Sequence, residues 1–192
     1  MAPVAFAIKG GPHATRLWQY KSQRVSAGAA ARQAMTIRAL LLVFLRDHGP
    51  CLWGTAGARL PTHVAVVPTG RARPGPHPLR SLVERYLTIP WAGLVATPGG
   101  EQVRDLDPGR FRSTPLPGAR VLLIDDTWTT GSSAQSAAMA LRAAGAGSVV
   151  TVVLGRHLSG AAAEQAGFGP AAMPFRMDTC VVHKDHPVGQ RP

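Results

Sequence analysis

The sequence predicts an α/β protein in which a mostly parallel, twisted sheet is flanked by helices. Two observations favour this fold. Residues 63–68, 120–126 and 148–155 each contain a short, mostly apolar stretch, such as Val121–Ile124, as expected for parallel strands covered on both faces. A helical pattern over 132–146 separates the last two runs, which is the order of a right-handed βαβ unit. The length of 192 residues suits one domain.

The first third of the chain, residues 1–60, is predicted to be mostly helical. A weakly alternating strand over 4–9 is followed by a helical pattern over 13–21. Ser26 is a suitable N-cap for a helix that runs to about His48, where Gly49 and Pro50 would end it. The apolar run 39–45 is too short to span a bilayer and is interpreted as one side of a buried helix. We therefore expect a soluble, cytoplasmic protein without membrane contact.

Residues 61–156 are predicted to form the core of the fold. The strand at 63–68 leads to a helix over 78–87 and a strand over 92–100. Residues 98–118 are rich in proline, glycine and charge, and their length is typical of a mobile lid or binding loop. The βαβ unit follows, and residues 157–192 complete the chain.

The net charge of +11 predicts attraction to anions such as phosphorylated metabolites, nucleic acid or an acidic partner. Eighteen of the 21 basic residues are arginine, whose planar fork suits phosphate oxygens, although base composition of a genome produces the same bias. Binding to nucleic acid stays open but ranks last, since the sequence shows no basic stripe interleaved with aromatic residues. Cys51 and Cys180 are isolated, which argues against a zinc site or a disulfide, and both are expected to be buried and reduced.

The segment 122–133, LLIDDTWTTGSS, is the strongest functional signal. Ligands of open parallel sheets bind beyond the C-terminal ends of strands, where Asp125 and Asp126 are expected. Adjacent carboxylates repel each other, but together they can accept hydrogen bonds from a vicinal diol or hold a hydrated Mg²⁺. The turn predicted over 127–133 leads into a helix N-terminus, and its glycine and hydroxyl side chains suit a phosphate. A phosphorylated ribose has both a diol and a phosphate.

A purely structural alternative is that Ser132 or Ser133 caps the helix and the aspartates lie at a solvated strand end. Capping does not explain a paired aspartate followed by TTG and two further hydroxyl residues. The chain has no GxxxxGK[ST] or GxGxxG motif, and too little chain follows Asp126 for a phosphorelay receiver. Binding of a phosphorylated ribose is therefore favoured.

The run VLLIDDTWTTGSS resembles the phosphoribosyl-pyrophosphate (PRPP) signature of type I phosphoribosyltransferases. The resemblance implies their fold, with a small hood formed by residues 1–60 and 157–192. It implies that Asp125 and Asp126 contact the ribose 2- and 3-hydroxyls, and that Mg²⁺ is held mainly through PRPP, with the two aspartates as candidate ligands. The PRPP-binding set is completed by the residues that follow, of which the last five would hold the 5-phosphate: Thr127, Thr129, Thr130, Gly131, Ser132 and Ser133. Trp128 departs from the small aliphatic residue usual in the signature.

The same resemblance assigns roles elsewhere in the chain. VVPTGR ends where the family has its pyrophosphate loop, so the candidates there are Thr69, Gly70 and Arg71. Residues 98–118 stand where a flexible loop closes over PRPP, and its candidate catalytic arginines are Arg104, Arg110 and Arg112. LWQYK over residues 17–21, its spacing to VVPTGR, and the pair RF at 110–111 are similar to the competence-protein ComF branch. This sequence does not contain the N-terminal cysteine-rich zinc element that is common in that branch; either the protein lacks the element or Met1 lies after the usual start.

The activity implied is transfer of the phosphoribosyl group of Mg-PRPP to a nucleobase-like or amine acceptor with release of pyrophosphate, in nucleotide metabolism. The expected partners are PRPP and a small-molecule acceptor, and a homodimer is an open alternative. A non-catalytic protein that binds PRPP or a nucleotide, with a regulatory role or a role in DNA uptake, is the second hypothesis. No role is assigned to His157, His183 or His186. The aromatic residues are interpreted as packing groups: Trp18, Tyr20, Trp53 and Trp91.

Overall fold

The structure is a computed structural model that describes residues 1–57, 60–69, 76–98 and 105–165. Its elements in chain order are β1 (Ala2–Ile8), α1 (Pro12–Gln19), α2 (Ala27–Thr55), β2 (His63–Val66), α3 (Pro78–Val83), β3 (Val95–Ala96), β4 (Phe111–Arg112), β5 (Arg120–Trp128), α4 (Ser132–Ala143), β6 (Ser148–Leu158) and α5 (Gly160–Gln165).

Four of the described strands form one sheet in the order β1-β6-β5-β2. Strands β2 and β5 are parallel, with His63 opposite Val121 and Val66 opposite Ile124. The apolar run of β5 is buried because a strand of a parallel sheet is covered on both faces: Leu123 and Ile124 are fully inaccessible to solvent. The predicted α/β fold, a parallel sheet flanked by helices, is confirmed.

The chain divides into two compact units. The first unit comprises Met1, Trp53–Asp125 and Thr130–Val152, and the second comprises Ala2–Leu52, Asp126–Thr129 and Val153–Pro192. In the first unit, α4 buries a stripe of small side chains, including Ala137, together with Leu141. Its α3 buries Leu79 and Val83. This helix is shorter than the predicted helix over 78–87, since the chain turns at Arg85 and Tyr86.

The first unit also shows that residues 105–118 are not one loop. Strand β4 pairs with β3 in an antiparallel two-stranded sheet, with Ala96 opposite Phe111. The amide of Asp107 donates to Oγ of Ser136 in α4 at 3.0 Å, which ties the start of this segment to a helix. The expectation of one continuous loop over 98–118 is therefore wrong for its second half, which contains β4. The predicted strand over 92–100 is reduced to two residues, and 99–104 lie outside the described residues.

In the second unit, helix α1 packs against strand β1, and Gly155 of β6 allows their close approach. A Cβ atom at Gly155 would lie 2.4 Å from Cδ1 of Leu17 and 3.0 Å from Cβ of Ala7. Nε2 of His13 is 2.9 Å from the Leu154 carbonyl oxygen and donates to it. Burial lowers the pKa of His13, and this hydrogen bond partly offsets the effect, so the environment favours the neutral ring. These contacts place the end of α1 firmly within the unit.

Helix α2 begins as predicted, because Oγ of Ser26 accepts from the amide of Ala29 at 3.3 Å. It does not end at Gly49 and Pro50 but continues to Thr55 with the proline inside it. The predicted end is wrong because Leu52 and Trp53 lie beyond the proline and are both buried. Their burial offsets the backbone hydrogen bond that a proline cannot donate.

Among the described helices, α2 is long and apolar enough to cross a membrane by length and composition alone; one 18-residue window of it has a mean hydropathy of 1.3, and 17% of that window is buried. Core helices of globular proteins have the same composition. Ile37, Leu41 and Phe44 are 1% exposed or less and follow the spacing of one helix face. The predicted interpretation as one side of a buried helix fits this stripe.

Candidate functional site

The acidic pair lies in the last four residues of β5, beyond the stretch that pairs with β2. Residues 121–124 are buried, whereas 125–128 are half-buried, so polarity changes where the strand leaves its neighbour. The strand continues to Trp128, and the turn begins at Thr129, not at Thr127 as expected. β-branched and aromatic residues such as Thr127 and Trp128 favour an extended backbone, which accounts for the longer strand.

The turn after β5 is built around Gly131. This residue has φ +84° and ψ 0°, a left-handed conformation that glycine adopts without the steric cost of a Cβ atom. It is the N-cap of α4, and its carbonyl oxygen accepts from the amide of Gln135 at 2.9 Å. The glycine of TTG is thus required by the backbone that brings the turn into the helix.

The hydroxyl groups around this turn are held in place by each other and by the backbone. The Thr130 hydroxyl donates to Oγ of Ser132 at 3.2 Å, and Oγ1 of Thr130 accepts from the amide of Ser132 at 3.4 Å. Thr129 and Thr130 are exposed, whereas Ser132 is buried and Ser133 half-buried. The arrangement combines exposed hydroxyls with the positive end of a 12-residue helix, which suits an anion.

The structure removes the capping alternative. The N-cap position belongs to Gly131, which has no side chain to make a cap hydrogen bond. Ser132 and Ser133 are the first two residues of the helix itself, so neither is its N-cap. Capping by Ser132 or Ser133 therefore does not account for the hydroxyl residues around the turn.

Asp126 contacts two polar side chains of the same unit. Its Oδ2 accepts a hydrogen bond from the Tyr20 hydroxyl at 3.1 Å and forms an ion pair with Nζ of Lys21. The Lys21 ammonium also lies 5.8 Å from the centre of the Tyr20 ring. Tyr20 is 8% exposed, while the side chains of Lys21 and Asp126 retain 34% and 22% of their exposure. The carboxylate is thus bonded to two donors and remains partly accessible.

Tyr20 and Lys21 were not predicted as site residues. The sequence places them more than a hundred positions before Asp126, and nothing in their local pattern indicates a carboxylate partner. The available signal was the LWQYK run, which the resemblance singled out without giving it a role. Tyr20 is buried as expected of a packing residue, but its hydroxyl also bonds a predicted ligand-binding residue.

The other predicted site residues have varied positions. Thr69 is exposed just after β2, while Gly70, Arg71 and Arg104 lie outside the described residues. Arg110 is 8% exposed, with its guanidinium carbon 5.3 Å from the centre of the Phe111 ring. Arg112 is exposed on β4. Of these two arginines, Arg112 is the one that a ligand in solvent can reach.

The described residues contain no group of three or more histidine, cysteine or acidic side chains able to hold a metal ion by themselves. Asp126 already has an ammonium group on Oδ2. That Mg²⁺ is held mainly through PRPP stays a prediction.

The remaining candidates are dispersed. His157 lines a shallow pocket together with Lys9, Gly10, Ala14, Thr15 and the half-exposed Trp18. Trp53 is buried, and Trp91 stacks against the guanidinium of Arg80 at 4.8 Å, as expected of packing groups. Cys51 is half-buried, so the prediction of a fully buried thiol is wrong. Cys180, His183 and His186 lie outside the described residues.

No protein-family model matches this chain, and no curated protein matches it either. Among solved structures, it is similar to a purine phosphoribosyltransferase from Pyrococcus horikoshii OT3, with a TM-score of 0.39 and 17% identity over 66% of this chain and 87% of that chain. It is similar to the adenine phosphoribosyltransferase of Leishmania tarentolae, with a TM-score of 0.45 and 16% identity over 83% of this chain and 92% of that chain.

A third similar structure is the UMP synthase of Leishmania donovani, with a TM-score of 0.40 and 20% identity. The match covers 82% of this chain and 34% of that chain. The structural neighbours thus include two phosphoribosyltransferases, while the ComF branch stays a prediction.

Proposed function

We propose that the protein is a phosphoribosyltransferase that binds Mg-PRPP along residues 125–133 and transfers the phosphoribosyl group to a nucleobase-like or amine acceptor. The observation that carries this proposal is the conformation of the segment DDTWTTGSS. A strand end with two carboxylates is followed by a left-handed glycine turn with exposed hydroxyls at the start of a helix. These are the chemical groups that a ribose diol and a 5-phosphate require, in the order of the signature.

In this proposal the carboxylates of Asp125 and Asp126 accept hydrogen bonds from the ribose 2- and 3-hydroxyls. The hydroxyls of Thr129 and Thr130 and the first amides of α4 donate to the 5-phosphate. Holding both ends of the sugar fixes the position of its reactive C1, which lowers the entropic part of the barrier. The net charge of +11 favours the encounter with a ligand that carries several negative charges.

Pyrophosphate departs as an anion and leaves positive charge on the ribose ring. Catalysis therefore requires groups that stabilise the negative charge of the leaving pyrophosphate. Bound Mg²⁺ would supply part of that stabilisation by neutralising pyrophosphate oxygens. Among the described arginines of the predicted loop, Arg112 is exposed and is our candidate for the rest. Thr69 is the described candidate of the pyrophosphate loop.

Calorimetric titration of PRPP with Mg²⁺ tests the site. We expect Asp126→Asn and Asp125→Asn each to weaken binding by about 10- to 100-fold, because a hydrogen bond to a charged group contributes about 1.5–3 kcal/mol. Glu164→Gln removes the same charge from an exposed position outside every predicted site segment and should bind as the wild type does. No binding to the folded wild type would refute the proposal.

Release of pyrophosphate in the presence of purines, pyrimidines or ammonia tests turnover. We expect one class of acceptor to support release of pyrophosphate by the wild type, and we expect no release by Asp126→Asn with the same acceptor. Tight binding of PRPP without turnover with any acceptor would instead favour the second hypothesis, a non-catalytic PRPP-binding protein.

A further inference from the structure

We propose that Lys21, assisted by Tyr20, is a positioning residue that presents Asp126 as an acceptor for a ribose hydroxyl and withholds it from direct coordination of Mg²⁺. This inference rests on the proposed function and extends it to the C-cap of helix α1, Tyr20, and to the next residue, Lys21. It also decides between the two tasks that the paired aspartates can perform, recognition of a diol and coordination of a metal.

The first part of the argument is geometric. Oδ2 of Asp126 has two donors, the Tyr20 hydroxyl at 3.1 Å and the Lys21 ammonium. Two donors on one oxygen fix the rotation of the carboxylate, whereas a strand-end aspartate would otherwise sample several rotamers. Because the carboxylate is fixed before the ligand arrives, it loses less conformational entropy when it accepts a hydrogen bond from a ribose hydroxyl.

The donors are themselves held. Tyr20 is 8% exposed, and Leu17, one turn earlier in α1, is 3% exposed and packs against Gly155. The Lys21 ammonium lies against the Tyr20 ring. The position of Asp126 is thereby linked to the packing of α1 in the second unit.

The second part is electrostatic. Two adjacent carboxylates repel a ligand that carries a phosphate and a pyrophosphate. An ammonium in contact with one of them cancels one of these two negative charges, and an ionised carboxylate offers about four acceptor sites in all. The same ammonium repels a divalent cation, so Asp126 is a poor Mg²⁺ ligand while Lys21 is in place.

The experiment uses two ligands without pyrophosphate. Ribose 5-phosphate has the diol and the phosphate, and tetrahydrofurfuryl phosphate has a similar ring and phosphate but no ring hydroxyls. Both are titrated into the wild type, Lys21→Met, Lys21→Arg and Tyr20→Phe, with and without MgCl₂. Lys9→Met is the matched control, because it removes the same charge from an exposed lysine of the same unit.

We expect Lys21→Met to weaken binding of ribose 5-phosphate about tenfold, the effect of losing one charge-assisted hydrogen bond to the acceptor. Binding of tetrahydrofurfuryl phosphate should be unchanged. Lys21→Arg should restore part of the affinity, Tyr20→Phe should weaken binding a few-fold, and Lys9→Met should resemble the wild type. Binding of ribose 5-phosphate to the wild type should not depend on MgCl₂.

Equal affinity of the wild type and Lys21→Met for ribose 5-phosphate would overturn the inference while leaving the proposed function standing. Equal weakening for both ligands would also overturn it, because that result means a structural role. A wild type that binds ribose 5-phosphate only with MgCl₂ would overturn the exclusion of the metal. Failure of the wild type to bind either ligand would overturn the proposed function and this inference together. If Lys21→Met fails to fold in thermal melts, Tyr20→Phe, which removes a single oxygen atom, gives the same test.

Discussion

Replacement of Gly155 by alanine tests the packing that supports helix α1. A Cβ at this position would lie 2.4 Å from Cδ1 of Leu17, 3.0 Å from Cβ of Ala7 and 3.5 Å from Cδ2 of His13. Favourable carbon–carbon contacts begin at about 3.5 Å, so the first two distances are overlaps. Leu17 is 3% exposed and Ala7 is fully buried, which leaves neither of them an open space to enter. We expect Gly155→Ala to lower the free energy of unfolding by about 1–3 kcal/mol.

Urea unfolding of a double-mutant cycle measures this effect. Leu17→Ala alone should cost about 2–5 kcal/mol through the cavity it creates. It also removes the atom that the new methyl group overlaps, so the double variant should be more stable than the sum of the two single effects predicts, by about 1 kcal/mol or more. Gly160→Ala is the control, because no heavy atom of the described chain lies within 4 Å of its Cβ position.

A Gly155→Ala protein as stable as the wild type would refute the reasoning, and so would strict additivity with Leu17→Ala. The cycle also bears on the site. Because α1 leads to Tyr20 and Lys21, a displaced helix should weaken ribose 5-phosphate binding in Gly155→Ala, and Leu17→Ala in the same chain should recover part of it.

Three further predictions concern the phosphate turn, pH and the β4 segment. Gly131→Ala and Gly10→Ala both place alanine at φ above +80°, at a cost of about 1–2 kcal/mol, and each should lower the melting temperature by a few degrees. In calorimetry, only Gly131→Ala should abolish binding of PRPP. Burial lowers the pKa of His48, despite the opposing effect of the neighbouring aspartate Asp47. Below pH 6.5, His48 is therefore protonated more readily in the unfolded chain than in the folded chain. The free energy of unfolding should therefore fall as the pH drops below 6.5, the pKa of histidine in the unfolded chain, by up to about 1.4 kcal/mol per pH unit. In urea unfolding, His48→Leu should make the free energy of unfolding less dependent on pH in this range. An unchanged pH dependence would contradict the assignment to His48. Ser136→Ala should cost about 1 kcal/mol and speed hydrogen exchange at the Asp107 amide, and unaltered exchange would mean that this hydrogen bond does not anchor the segment.

Local sequence predicted the elements that are long and apolar. The runs at β2, β5 and β6 are continuous because both faces of a parallel strand are buried, and helix α4 has a clear apolar stripe. The turn around Gly131 was also predicted, since a glycine and hydroxyl residues before a helix are typical of a phosphate-binding turn. These features depend on residues close to one another in the chain.

Other boundaries depend on distant contacts and could not be read locally. Gly49 and Pro50 indicate a helix end, but burial of Leu52 and Trp53 extends α2 through them. Residues 105–118 have the composition of a loop, yet pairing with β3 and the hydrogen bond to Ser136 give part of them a fixed structure.

The sequence by itself determined the α/β class, the acidic pair and the TTG turn, because each follows from the chemistry and spacing of neighbouring residues. Only the tertiary structure decided what surrounds Asp126. Tyr20 and Lys21 reach its carboxylate through the packing of α1, and such a contact between distant residues leaves no periodic pattern in the chain. The tertiary structure likewise assigned the N-cap to Gly131, because backbone dihedral angles, and not the presence of serine, decide which residue caps a helix.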